Sequence, residues 1–167
     1  DKLLPAIQPA VLPAAPQAEK ALRGRLAGLS LPVPAGAPVS PLAAQLGGKT
    51  YLLEENSFKI ETIRFAFNSD GCVLSLRERG EENHASFGYH GWKFGESALF
   101  ANGKGPVAAH AAWVKPETLQ LVLRQYSTPF LFTVDFTFAG DLVTMEGRVN
   151  VGFGPNQFPV IKGQAGE

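Results

Sequence analysis

Phe130-Leu131-Phe132-Thr133-Val134-Asp135-Phe136-Thr137-Phe138 puts a large apolar side chain on every second position, with Thr133, Asp135 and Thr137 between. A two-residue period is that of a β-strand with one face buried and the other wet. Gly140-Asp141 follows as a turn, and Val143, Met145, Val149 and Val151 then resume the alternation. Two such runs around a short polar turn form a β-hairpin. The chain is therefore expected to be an antiparallel β protein.

The same rhythm extends back to residue 49. Strands are expected over residues 49–54, 59–68, 72–78, 82–89, 92–98, 107–114, 118–126, 130–138 and 142–153. Between them stand turn signals: Ser69-Asp70-Gly71, Gly80, His90-Gly91, Asn102-Gly103-Lys104-Gly105-Pro106, Lys115-Pro116-Glu117, Ser127-Thr128-Pro129 and Gly140-Asp141. Connections this short join antiparallel neighbours. A flat meander of about eight or nine strands would leave two unpaired edges, so the reading favours closure into an up-and-down barrel or a strongly rolled sheet.

Composition changes near residue 47. Prolines 5, 9, 13, 16, 32, 34, 38 and 41 precede it, out of 13 in the chain. Residues 1–47 read as a Pro/Ala-rich leader or interdomain linker, and residues 48–167 as the β domain. One short helix is expected near residues 17–29, where Ala18, Ala21, Leu22, Leu26 and Leu29 recur at helical spacing. The chain begins with Asp1 rather than Met, which suggests a processed protein or a fragment of a longer one.

Charge removes several functional classes. Lys plus Arg and Asp plus Glu both number 15, for a formal net charge of zero. No global field exists to draw in nucleic acid. No apolar run is long enough to span a membrane as a helix. The single Cys72, in Cys72-Val73-Leu74, suits a buried small hydrophobe.

Catalytic motifs are missing. Neither Ser-x-x-Lys nor Gly-x-Ser-x-Gly occurs, and Gly152-Phe153-Gly154 leads into Pro155 rather than into a helix that could hold a phosphate. His84, His90 and His110 do not have zinc-ligand spacing, and neither metal nor cofactor is expected. Asp135 falls on the wet face of its strand; inside a barrel it would need a partner such as Arg124. The aromatics are mostly core, although Ala108, Ala109, Ala111 and Ala112 leave room for a pocket beside Trp92. If a ligand or partner surface exists, Arg64, Trp92, Trp113, Arg124 and Tyr126 are its candidates, because aromatics and Arg dominate binding hot spots.

Leu46-Gly47-Gly48-Lys49-Thr50-Tyr51, Gly91-Trp92, Ala111-Ala112-Trp113, Tyr126-Ser127-Thr128-Pro129-Phe130 and Asn150-Val151-Gly152-Phe153-Gly154 together make a pattern. It resembles the C-terminal domain of bacterial beta-lactamase-family serine hydrolases. That resemblance implies an accessory domain without catalysis of its own, with the catalytic domain of the same parent chain as partner and an extracytoplasmic location. The catalytic motifs of that family have no counterpart here, so none of its functional residues transfers. The rival expectation is a lipocalin-like barrel that carries a small apolar ligand.

Overall fold

The computed structural model describes residues 13–100 and 103–166. The first twelve leader residues and Asn102 of one expected turn lie outside them. The chain divides after Pro32 into two compact units. In the first, α1 (Pro16–Ala27) starts with Pro16 in its first turn, and Arg23 and Glu19 pair one helical turn apart at 2.7 Å.

Among its described residues the second unit holds a short helix, α2 (Ala43–Leu46), and ten strands. They are β1 (Thr50–Leu53), β2 (Ile60–Phe67), β3 (Gly71–Glu78), β4 (Glu81–Gly88) and β5 (Lys93–Ser97). β6 (Gly105–Lys115), β7 (Thr118–Gln125), β8 (Leu131–Ala139), β9 (Leu142–Val149) and β10 (Ile161–Ala165) complete the set. Along the sheet the order is β4-β3-β2-β1-β10-β9-β8-β7-β6-β5, antiparallel throughout. Among the described residues a parallel pairing, Gly88 on β4 with His110 on β6, joins one end of that order to the strand next to the other end. The expected antiparallel meander thus closes into a barrel.

The closing seam runs along one edge of β6. β5 pairs with residues 105–109, Gly88 meets His110, and Ala37 exchanges two backbone hydrogen bonds of 2.9 Å with Trp113. Three short pieces together satisfy backbone groups that one long strand would otherwise serve.

β10 is a strand that the sequence reading passed over. Of its inward residues only Ile161 is large; Gly163 and Ala165 are too small to continue a hydrophobic alternation. A Cβ on Gly163 would lie 2.5 Å from Leu53 and 2.7 Å from the Leu52 carbonyl, so glycine is what lets β10 lie between β1 and β9.

Strand direction sorts the connections into two ends. At one end sit the turns 68–70, 89–92, 116–117 and 140–141 together with the segment before β1. There α2 inserts Leu46 into the core, and Ser40 donates through Oγ to the Pro116 carbonyl at 2.8 Å. Beneath lies an aromatic layer, with Phe65 edge-on to Phe136 and Phe138 at 5.0 and 5.6 Å and Trp113 6.0 Å from Phe67. This end is filled. The other end is built from residues 54–59, 79–80, 98–100, 103–104, 126–130 and 150–160.

Candidate functional site at the barrel mouth

Two cavities that share part of their walls lie at the second end. One, of about 550 Å³, is walled by Phe100, Gln125, Phe130, Phe132, Val149 and Phe158. Another, of about 590 Å³, reaches Phe58, Ile60, Leu76, Phe100, Met145 and Phe158. Phe100, Gly103 and Phe158 belong to both, so they form one recess divided by two rings. Each volume falls in the range of small-molecule sites, roughly 300–1,000 Å³.

The walls arise from two sources. Inward positions of the strands supply Ile60, Leu76, Phe132 and Met145, all within or against the core. Loops supply the rings: Phe58 precedes β2, Phe100 follows β5, and Phe158 precedes β10. Phe158 meets Phe58 edge-on at 5.2 Å, while Phe132 stands 6.0 Å from Phe100 and 6.5 Å from Phe158. These separations are those of interacting aromatic pairs. Residues 156–158 run beside β9, with Phe158 N–H donating to the Gly147 carbonyl at 2.8 Å. A Cβ on Gly147 would stand 2.6 Å from the Phe158 ring, so Gly147 makes the seat for that ring.

Charge is confined to the rim. Among the described residues no Lys, Arg, Asp or Glu is buried. Glu78, Arg79 and Lys104 edge the recess, with Arg79 Nε 3.7 Å from Glu78 and Lys104 Nζ 3.4 Å from Glu96. Buried groups elsewhere are neutral at ordinary pH. Burial pushes the Cys72 thiol up to about 12, against a smaller opposing effect of the Tyr89 hydroxyl. Burial likewise raises Tyr51 and Tyr89 and lowers His110. Among the described residues no group of three or more His, Cys, Asp and Glu side chains converges as a metal site.

The residues singled out from sequence lie apart. Arg64 is exposed on β2, Trp113 is buried in the core, and Arg124 is half-buried on β7. Trp92 stands 6.0 Å from the His110 ring, and the exposed Tyr126 stands 6.1 Å from Phe94. None of the five lines the mouth recess. Ala108, Ala109, Ala111 and Ala112 are all buried. Asp135 lies on the outer face, accepting from Gln120 Nε2 at 2.8 Å with Arg148 at 3.7 Å, and these take the place given to Arg124. Sequence reasoning missed Phe58, Phe100, Phe158, Met145 and Gln125. Gln125 did carry a signal, for it continues the inward series Leu119, Leu121, Leu123.

Fold and site together define a closed up-and-down β-barrel with an apolar recess at one mouth. Among solved structures it is similar to a fatty-acid-binding protein from brain tissue of Drosophila melanogaster: TM-score 0.54, 14% identity, 72% of this chain and 99% of that one. A fatty-acid-binding protein from Manduca sexta matches with TM-score 0.49 and 14% identity, over 73% of this chain and 99% of that one. At such identity the Drosophila match shows the fold alone. No family model matches the chain, and no curated protein matches it.

The Drosophila match corrects the resemblance drawn from short motifs. The chain shares its fold with fatty-acid-binding proteins, not with the C-terminal domain of beta-lactamase-family serine hydrolases. With that, the reading as an accessory domain of a serine hydrolase falls, and so does the catalytic domain as its partner. The physical reason lies in what the motifs do. Gly47-Gly48 leads from α2 into β1, Tyr126 to Pro129 turn β7 into β8, and Asn150 ties that turn to β9 through Pro129 and Leu131. Such punctuation belongs to any barrel of this kind and marks no family. Among the described residues no helix is long and apolar enough to cross a membrane.

Proposed function

We propose that this barrel binds a small apolar molecule in the recess at its mouth and acts as a carrier rather than as a catalyst. The observation that carries the reading is the pair of cavities sharing Phe100 and Phe158, walled by aliphatic and aromatic side chains with charge only at the edge. Burying apolar ligand surface there yields about 25 cal/mol per Å². The fold shared with the Drosophila fatty-acid-binding protein supports it, since a barrel of this size can enclose one small ligand.

The test is titration with Nile red, a neutral dye that brightens on leaving water, alongside native mass spectrometry of the purified chain. Saturable binding of one dye per chain, weakened several-fold in Phe158→Ala and unchanged in Arg64→Ala, is expected. Dye fluorescence that stays at its aqueous level across the titration, with no ligand retained in the mass spectrum, would overturn the carrier reading.

A further inference from the structure

We infer that the ligand is uncharged and carries one hydrogen-bonding group, which Gln125 recognises; this rests on the carrier reading and names the class of molecule carried. Gln125 is the last residue of β7, two positions beyond Leu123 on the inward face and opposite Val107. It is only 8% exposed and lines the first cavity. Its backbone is fully engaged. The N–H donates to the Phe130 carbonyl at 3.2 Å, while its own carbonyl accepts from Thr128 N and Thr128 Oγ1, both at 2.9 Å. The side-chain amide makes no hydrogen bond to any described residue. The amide is not sealed off as Tyr51 Oη and the His110 nitrogens are, so it opens onto the cavity, and a ligand that displaces water from it must supply the hydrogen bond in its place.

The neighbouring Thr128 hydroxyl cannot substitute for it. Thr128 Oγ1 already donates to the Gln125 carbonyl and accepts from Phe130 N at 3.2 Å. A neutral amide offers both a donor and an acceptor, which suits a hydroxyl, an ester or another amide. A free carboxylate is acceptor-only and needs a cation once it leaves water. The cations nearest to the recess, Arg79 and Lys104, are exposed at its edge and already stand beside Glu78 and Glu96. The recess therefore selects against the ionised form of a chain whose alcohol or amide it accepts.

The experiment uses the whole chain and displacement of bound Nile red by decanol, decanamide, decane and decanoate at neutral pH. Decanol and decanamide should displace the dye at about a tenth of the concentration that decane or decanoate requires, a ratio expected of one buried hydrogen bond. Gln125→Leu should erase the advantage of decanol over decane while leaving decane unchanged. Gln125→Arg should turn the preference toward decanoate. Decanoate competing as well as decanol in the wild type would overturn the inference, as would a decanol preference that survives in Gln125→Leu or a bound dye that neither neutral polar compound displaces. Those outcomes leave the carrier reading standing, whereas a chain that binds neither dye nor any of the four compounds overturns both.

Discussion

At the scale of single residues, the barrel's filled end sets stability. Phe136 is fully buried with Phe65 edge-on at 5.0 Å, and its cross-strand partners are Leu119 and Met145. Phe136→Ala should cost about 3–5 kcal/mol in denaturant melts, since the truncated ring leaves a cavity among fixed neighbours. A loss below about 1 kcal/mol would show that the site collapses or that the strand faces the other way. Cys72 gives a pH signature. Its folded pKa, pushed up to about 12 from an ordinary 9.0, means that the folded chain keeps a proton which the unfolded chain releases first. Stability from this group is therefore complete below about pH 9 and is lost as pH rises toward 12. The difference in unfolding free energy between wild type and Cys72→Ala should shrink over that interval. A pH-independent difference would contradict the burial of the thiol. Folded protein should also resist alkylation at Cys72 at neutral pH, because the thiolate is the nucleophile.

Elements show why parts of this architecture were readable and others not. Strand β8, like β2, β3 and β7, carries large side chains inward and polar ones outward, and its period survives any tertiary context. The final strand was expected to reach residue 153, yet β9 stops at Val149, because Asn150 turns to bond Leu131 and Pro129 while residues 156–158 come back along β9. No local pattern announces that return. Helix α2 is a single turn whose only buried residue is Leu46, too short for helical periodicity to show. The mouth was least legible of all, since Phe58, Phe100 and Phe158 come from three loops that meet only after the barrel closes. Two elements can be tested directly. Ser40, on the segment before α2, donates to the Pro116 carbonyl and accepts from Leu42 N at 3.2 Å, so Ser40→Ala should cost about 1 kcal/mol and speed amide exchange at Ala37 and Trp113. Unchanged exchange there would mean that the segment is held by α2 alone. Gly147→Ala should unseat Phe158, leaving the filled end intact while weakening dye binding several-fold; equal dye affinity in this variant would remove Phe158 from the site.

For the molecule as a whole, stability and binding are one measurement. The barrel is packed from α2 down to the layer of Phe65, Phe136 and Phe138, but beyond that layer the mouth holds two cavities where a core would otherwise continue. Apolar walls facing a void or loose water forgo contacts that a ligand would supply. A molecule that binds only the folded chain adds RT ln(1 + [L]/Kd) to its stability, about 2.7 kcal/mol at a hundredfold excess over Kd. For a chain of this length that corresponds to a rise in Tm of roughly 5–10 °C. Decanol added to the stripped protein should therefore raise Tm by that amount, and the rise should follow the logarithm of its concentration. In Phe158→Ala the increment should be reduced at each concentration, even if the starting Tm is lower, because the wall shared by both cavities has gone. A Tm that stays fixed over a hundredfold range of decanol would mean that the recess gains nothing from being filled, and the apolar mouth would then have to be explained without a ligand.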